Sequence, residues 1–336
     1  MTDNTKQTKL IDDEEDNEKT IEYPSGRKVK RILKDYEVDK GERGIYNEKN
    51  KLNDLTGKEW TFFLNSVHET DFAQNEKEFK LWKFLQDSVI TTKYSSNGDE
   101  SYGHKLRKMH PSPKPPQLMR DLISFFTKEG GWILDPFMGV GGTLLGGSLL
   151  ENRNVVGIDL EERYIQVYNE VCEKENLKKQ IAICEDSRNI LEIDEIKDRI
   201  FDLILTDPPY ADMLSKKRTG GDRKDKGAFT NDERDLGNLS YEQFFPELKQ
   251  IIELAVALLK DGGYLVMFCK DMQPTKEHHN MLHADIVNEI CKIKRIFFKG
   301  YKIWYDKTIN LYPYGYPFSY VSNQLHQFIL IFRKGK

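Results

Sequence analysis

Short apolar runs alternate with amphipathic stretches along the second half of the chain, and this alternation predicts the secondary structure. The runs predict seven strands, at residues 132–135, 154–158, 180–184, 201–206, 263–269, 293–304 and 325–333. Stretches with helical spacing separate most of these runs. The pattern therefore favours an α/β fold, in which a mostly parallel sheet carries helices on both faces.

One helix of this domain has clear start and stop signals. Ser240 and Gln243 form a capping-box pattern, and apolar residues at helical spacing follow it. Pro246 lies inside this pattern, so the regular helix is predicted to start only after the proline. The glycine pair at 262–263 is predicted to end the helix.

Composition adds limits on size and location. The chain has 336 residues and a mass of 39.3 kDa, which suits one large α/β domain with an extension. It contains no run of eighteen apolar residues and no N-terminal signal pattern, which predicts a soluble, cytoplasmic protein without a membrane partner. The four cysteines have no CxxC spacing. Reduced thiols and no metal site are therefore expected.

Polar segments divide the chain. Residues 1–22 are rich in acids and are predicted to form a disordered tail, followed by an accessory region at 23–100 and a catalytic domain at 101–336. Residues 211–239 are rich in Gly, Lys, Arg and Asp and are predicted to form a mobile loop. The net charge is −4, but basic residues cluster at 216–226 and 292–302, which favours phosphate contacts there. The aromatic stretch at 305–324 suits either packing at the sheet edge or base stacking.

The sequence Asp207-Pro208-Pro209-Tyr210 directly follows the strand predicted at 201–206. Two consecutive prolines fix two φ angles, so Asp207 and Tyr210 are expected on a rigid turn at the end of that strand. In open α/β sheets, ligands bind next to the carboxyl ends of the strands. A carboxylate beside an aromatic ring suits a flat ring that bears an amine, because the carboxylate can accept its N–H groups.

A glycine-rich turn follows the strand at 132–135. Glycines at 139, 141 and 142 predict a tight turn into a helix that begins near Thr143, with space for a ligand close to the backbone. Asp159 ends the next predicted strand and is placed to accept hydrogen bonds from ribose hydroxyls. The turn alone would suit a dinucleotide equally well. A phosphate-binding P-loop is excluded because no Gly-Lys-Ser/Thr follows.

Together these segments resemble the amino-methyltransferases that use S-adenosylmethionine to methylate exocyclic nitrogens of nucleobases. Residues 135–141 (DPFMGVG) resemble the methionine-binding loop of that family, and residues 207–210 its catalytic tetrapeptide. Residues 110–115 (HPSPKP) resemble its HP-x-x-KP segment, and residues 326–334 its last strand. The resemblance implies a Rossmann-like, seven-stranded methyltransferase sheet whose last strand is antiparallel, with an N-terminal extension.

The resemblance also implies roles for individual residues. The catalytic residues would be Asp207, Pro208, Pro209 and Tyr210. Asp207 and the carbonyl group of Pro208 would accept the two N–H groups of the amine, and Tyr210 would stack on the base. The residues that would bind S-adenosylmethionine are His110, Lys114, Asp135, Phe137, Gly139, Gly141, Thr143, Asp159 and Asp186.

His110 and Lys114 would lie at the carboxylate end of the cofactor. Asp186 would bind the adenine amine of the cofactor, although a helix N-cap explains an aspartate at that position equally well.

The implied activity is site-specific transfer of a methyl group to N6 of adenine in double-stranded DNA, with the target base flipped out of the helix. Asp207 favours adenine, because relatives that act on N4 of cytosine usually have serine at this position. Two alternatives stay open: N4-cytosine methylation of DNA, and N2-guanine methylation of tRNA, whose enzymes combine a similar glycine turn with the same tetrapeptide. A restriction or defence partner and the oligomeric state are also left open.

Overall fold

A computed structural model describes residues 18–22, 28–63, 67–69, 104–107, 109–110, 112–210, 230, 232–274, 279–305 and 326–336. Residues 1–51 with 55–64 form one compact unit, and residues 52–54 with 65–336 form a second. The acidic segment 1–17, the basic run 216–226 and most of the aromatic stretch, 306–324, lie outside the described residues.

The smaller unit contains two hairpins and a short helix. Its strands are Glu18–Glu22 (β1), Lys28–Ile32 (β2), Glu37–Asp39 (β3) and Ile45–Asn47 (β4), and its helix is Gly57–Phe63 (α1). Arg31 donates two hydrogen bonds to Glu37, of 2.5 and 2.8 Å, and thereby connects the two hairpins. This contact lowers the pKa of Glu37 to about 2.

The last five residues of the segment predicted as a disordered tail, 1–22, form β1. This strand pairs antiparallel with β2 and places Ile21 opposite Val29 and Glu22 opposite Lys28. The backbone ladder with β2 therefore extends over all five residues of β1.

The larger unit is built around an eight-stranded sheet in the order β5-β11-β12-β10-β9-β6-β7-β8. Its strands are Val67–Glu69 (β5), Trp132–Asp135 (β6), Asn154–Asp159 (β7), Ile181–Cys184 (β8), Phe201–Thr206 (β9), Leu259–Cys269 (β10), Ile296–Tyr305 (β11) and His326–Lys334 (β12). All seven predicted strands are present. The eighth strand, β5, comes from the predicted accessory region and pairs parallel with the end of β11.

The last strand, β12, lies between β10 and β11 and is antiparallel to both, as predicted. The other paired strands of this sheet are parallel. The carboxyl ends of β6, β7, β9 and β10 therefore meet at one edge, and β12 begins at that same edge. This α/β arrangement confirms the predicted fold class.

The helices of the larger unit are His104–Arg107 (α2), Pro116–Phe126 (α3), Gly142–Ser148 (α4), Glu162–Lys174 (α5), Tyr241–Ala257 (α6) and Leu282–Ile290 (α7). Their apolar faces pack on the sheet, where residues such as Leu134, Val156 and Ile204 are fully buried. No helix in the described ranges is long and apolar enough to cross a membrane.

Helix α6 differs from its prediction at both ends. It begins at Tyr241, five residues before Pro246, because the capping box forms in full: the hydroxyl of Ser240 accepts from the Gln243 amide, and the Gln243 side chain accepts from the Ser240 amide. It ends at Ala257, and the glycine pair lies inside β10. There Gly262 has a φ of +78° and the register with β9 shifts, so the glycines form a bulge and not a helix stop.

The predicted mobile loop at 211–239 has a packed end. Residues Leu236–Asn238 form a 3₁₀ turn, the carboxylate of Asp235 accepts from the Gly237 amide at 2.8 Å, and Leu236 is buried in the core. Leu236 belongs to the same hydrophobic core as Phe244 and Leu248 of α6. Residues 211–229 and 231 lie outside the described part of the chain.

Candidate active site

A cleft of about 360 Å³ opens at the carboxyl edge of the larger sheet. Its wall includes all but one of the residues that the sequence assigns to the site: His110, Lys114, Asp135, Phe137, Gly139, Thr143, Asp159, Asp186, Asp207, Pro208, Pro209 and Tyr210. The remaining one, Gly141, is the N-cap residue of α4 and is not among the residues that line the cleft. Parallel strands bring these separated segments together because their carboxyl ends share one edge.

The glycine loop between β6 and α4 depends on two left-handed residues. Gly139 has a φ of +51° and Gly141 a φ of +76°, a region that side chains disfavour. A Cβ atom at Gly141 would lie 2.4 Å from Cδ2 of Tyr168, whose ring is fully buried. A Cβ atom at Gly139 would lie 3.0 Å from Nε2 of His110. The loop therefore passes closely between the rings of these two residues.

Asp159 holds the glycine loop in place from the end of β7. One carboxylate oxygen accepts from the amide of Gly139 at 2.8 Å, and the other accepts from the amide of Glu161 at 3.0 Å. Burial raises the pKa of Asp159 to about 7. The same side chain faces the cleft, so it is available to a ligand there.

Asp135 lies deeper, at the end of β6. It accepts hydrogen bonds from the hydroxyl of Thr206 at 2.7 Å and from the amide of Phe137 at 3.1 Å. Burial raises the pKa of Asp135 to about 6, although hydrogen bonds from Thr143 and Thr206 act in the opposite direction. The pKa values of both carboxyl groups thus lie above the ordinary value for aspartate.

Asp186 serves as an N-cap. Its carboxylate accepts from the amide of Arg188 at 2.9 Å and begins the 3₁₀ turn Ser187–Asn189. The guanidinium group of Arg188 also contacts both carboxylate oxygens, at 3.2 and 3.3 Å. Asp186 thus caps this turn in the wall of the cleft, and the positive charge of Arg188 compensates for its carboxylate.

The turn at 207–210, at the end of β9, holds Asp207 between two donors. The hydroxyl of Tyr210 donates to one carboxylate oxygen at 2.7 Å, and the ammonium group of Lys114 donates to the other. Tyr210 is buried, which raises the pKa of its hydroxyl well above the ordinary value, so the hydroxyl stays a donor. Lys114 contacts Asp207, whereas the sequence placed it at the carboxylate of the cofactor.

His110 also lines the cleft. Its Nδ1 accepts from the amide of Ser112 at 3.2 Å, and its ring meets that of Tyr164 edge to face with centroids 4.9 Å apart. Phe137 packs partly on the core, and the hydroxyl of Thr143 donates to the carbonyl of Leu205 at 3.5 Å.

Several cleft residues were missed from the sequence: Tyr164, Arg188, Arg234, Asp235, Trp304 and Gln327. Trp304 and Gln327 face each other across β11 and β12, and only the strand register reveals that they share the cleft. Asp235 comes from the segment assigned to a mobile loop. Among the described residues, no three His, Cys, Asp or Glu side chains come together as metal ligands.

Comparison with known proteins adds to this geometry. The family model for N6/N4 methyltransferases, described as DNA methylase, matches residues 3–170 and 201–336. This chain belongs to the DNA methylase family. The match covers β6 to α5 and β9 to β12, and with them the glycine loop and the turn at 207–210.

Relatives of this chain carry different names. It is 42% identical over 104 residues to the type II methyltransferase M2.DpnII of Streptococcus pneumoniae, covering 31% of this chain and 38% of that protein. It is 25% identical over 222 residues to the tRNA (guanine(10)-N2)-dimethyltransferase of Methanocaldococcus jannaschii, covering 63% of this chain and 55% of that protein. The chain thus spans 55% and 38% of the lengths of these two relatives.

Among solved structures, this chain is similar to TrmN from Thermus thermophilus. The sequences are 16% identical, the TM-score is 0.45, and the match covers 71% of this chain and 55% of that chain.

Proposed function

We propose that this chain is a site-specific DNA methyltransferase that transfers the methyl group of S-adenosylmethionine to N6 of adenine in double-stranded DNA. One observation carries the proposal. The catalytic turn at Asp207 and the glycine loop at 139–141 lie at one cleft, so a base amine held by the first would meet a cofactor held by the second. Membership of the DNA methylase family supports the substrate class.

The cleft suits the proposed cofactor in size and charge. Its volume of about 360 Å³ is within the usual range for small-molecule sites. When bound, S-adenosylmethionine would supply a methyl group on a positively charged sulfur. The carboxylates of Asp135 and Asp159 would favour that charge, and Asp159 would accept from the ribose hydroxyls. Gly139 has no side chain, which leaves the loop backbone open to the ligand.

Asp207 and the Pro208 carbonyl group would act on the target base. The lone pair of an exocyclic amine is delocalised into the ring, which makes the nitrogen a poor nucleophile. Acceptors for both N–H groups would draw the nitrogen toward tetrahedral geometry and localise the lone pair, so positioning and electrostatics suffice without a covalent intermediate. In duplex DNA the base must first leave the helix, which costs a few kcal/mol.

Two other substrates remain candidates for specific reasons. A relative named as a tRNA (guanine(10)-N2)-dimethyltransferase matches 63% of this chain, which favours an RNA guanine as the second choice. The family model covers N6 and N4 methylation of DNA together, so cytosine is the third. Asp207 supports adenine over cytosine.

The modified base decides between these candidates. We expect cells that express this chain to contain N6-methyladenine in their DNA, and cells that express the Asp207→Ala variant at the same level to lack it. Mass spectrometry of enzymatic digests measures the modified nucleoside, and mapping of the marks gives the recognised sequence. N4-methylcytosine in DNA, or N2-methylguanine found only in tRNA, would replace the adenine assignment.

Cofactor affinity should depend on pH. The pKa of Asp159 is about 7 and that of Asp135 about 6, so both carboxyl groups lose protons between about pH 5.5 and pH 8. An ionised carboxylate attracts a cation and accepts hydrogen bonds better than its protonated form. We therefore expect S-adenosylmethionine to bind more tightly as pH rises across this interval, with release of protons.

The stability of the free protein should change in the opposite direction. Because the folded-state pKa values of Asp135 and Asp159 exceed the ordinary value for aspartate, the folded protein binds more protons, and its free energy of unfolding falls as pH rises from about 4 to 7.

Calorimetry in two buffers with different ionisation enthalpies counts the protons released on cofactor binding. Asp159→Asn should flatten the dependence of affinity on pH. Proton uptake on binding would contradict this assignment.

A further inference from the structure

The ammonium group of Lys114 is buried in the wall of the cleft. Its side chain is 4% exposed, and its ion-pair partner is Asp207, whose side chain is 16% exposed. Burying a charge is costly unless an opposite charge and hydrogen bonds compensate for it. The contact between Lys114 and Asp207 is therefore a strong determinant of how both side chains are oriented.

The backbone of Lys114 is held on two sides. The buried guanidinium group of Arg107 donates to the Lys114 carbonyl at 2.8 Å. Gly142, the first residue of α4, packs so closely that a Cβ atom there would lie 3.1 Å from the Lys114 carbonyl oxygen and 3.2 Å from its Cβ. The lysine stem thus starts from a fixed point next to the glycine loop.

The end of the side chain is equally confined. The ammonium nitrogen lies 5.5 Å from the centre of the Phe268 ring on β10, a distance suited to a cation–π contact. Asp207 is the carboxylate that receives its hydrogen bond. The side chain therefore spans from the cofactor side of the cleft to the catalytic turn.

Asp207 keeps acceptor capacity in this arrangement. A carboxylate has about four acceptor positions on its two oxygens. Tyr210 uses one position on the first oxygen, and Lys114 uses one on the second. Two donors on opposite oxygens fix the plane of the carboxylate and leave positions for an amine N–H from the cleft.

We propose that Lys114 is a positioning residue for methyl transfer, which orients the carboxylate of Asp207 toward the base amine, and that its main role is not to hold the cofactor. This inference rests on the proposed function, because it takes Asp207 as the acceptor for the amine. It also explains why a lysine far from Asp207 in sequence is buried against it.

The test compares two lysines that pair with aspartates at opposite ends of β9. Lys114 pairs with Asp207 at the carboxyl end, and Lys260 pairs with Asp202 at the amino end, away from the cleft. We expect Lys114→Met to lower the single-turnover rate at saturating cofactor and DNA by roughly ten- to hundredfold, because the acceptor loses its orientation. The matched variant Lys260→Met should stay within about twofold of wild type.

Cofactor affinity separates positioning from cofactor binding. The Kd of Lys114→Met for S-adenosylmethionine should stay within about twofold of wild type, and Lys114→Arg, which keeps the charge, should recover part of the rate. In an Asp207→Asn background, Lys114→Met should change the residual rate little, because the interaction that it removes is already broken. Circular dichroism and the cofactor titration check that each variant is folded.

Two results would overturn the inference. One is a wild-type rate in folded Lys114→Met. The other is at least a tenfold weaker cofactor Kd with an unchanged rate at saturation, which would return Lys114 to the cofactor site. Failure of the proposed function looks different, since wild-type protein would then place no methyl group on N6 of adenine, whatever the lysine variants do. Mixed-sequence unmethylated duplex DNA and radiolabelled cofactor serve as the probes.

Discussion

Replacing Asp207 by alanine is expected to lower the rate of methyl transfer on the order of 10³-fold, while the affinity for S-adenosylmethionine stays within about twofold. The reason is the position of this carboxylate. It lies at the end of β9 between Lys114 and Tyr210, whereas the loop that shapes the predicted cofactor site follows β6 and is held by Asp159 of β7. Loss of the carboxylate would remove the proposed acceptor for the base amine and leave that loop intact.

Single-turnover kinetics with labelled cofactor measure the rate, and calorimetry measures the affinity. Asp202→Ala is the control. Like Asp207, Asp202 accepts a hydrogen bond from a lysine, here Lys260 on β10, but it lies at the opposite end of β9. That variant should methylate DNA at nearly the wild-type rate. If Asp207→Ala retained more than about a tenth of the activity, a different residue would have to accept the amine protons.

Replacing Gly141 by alanine should weaken cofactor binding more than any other single methyl addition in the glycine loop. The new Cβ would lie 2.4 Å from Cδ2 of Tyr168, a distance that forces one group to move. The tyrosine cannot move easily, because its ring is fully buried and its hydroxyl accepts from the amide of Gln180 at 2.7 Å. The loop must shift instead, and we expect at least a tenfold loss of cofactor affinity.

Gly130→Ala provides a matched control for backbone strain. Gly130 has a φ of +77°, almost the same as that of Gly141, but no atom lies within 4 Å of the position its Cβ would take. Both variants should lose about 1–2 kcal/mol of stability from the left-handed backbone, and only Gly141→Ala should lose cofactor affinity. Denaturant unfolding and calorimetry on the two proteins test this difference. Equal cofactor affinities would show that the loop does not shape the site.

The sequence predicted the cleft because strand ends are readable from it. Asp135, Asp159 and Asp207 each follow an apolar run, and parallel strands bring such ends to one edge. Neither the strand order nor the register was needed to group these residues. The main features of the fold were predictable for the same reason, since buried parallel strands appear as continuous apolar runs.

Contacts between distant segments were not predictable in this way. The pairing of Lys114 with Asp207 spans 93 positions and depends on how the α3 region packs over the glycine loop. The pairing of Trp304 with Gln327 depends on the register of β11 and β12. Local sequence signals also conflicted at α6. The capping box starts the helix before Pro246, and the glycine pair at 262–263 forms a bulge in β10 and does not end the helix.

The placement of β12 between β10 and β11 has a consequence for synthesis on the ribosome. Until residues 326–334 have been made, β10 has no partner on the side that β12 later fills, and its apolar run Leu265–Phe268 presents an open edge. Open apolar edges are templates for pairing with the wrong chain. Nascent chains of this protein should therefore be prone to aggregation, and added chaperones that cover the open edge should raise the soluble yield.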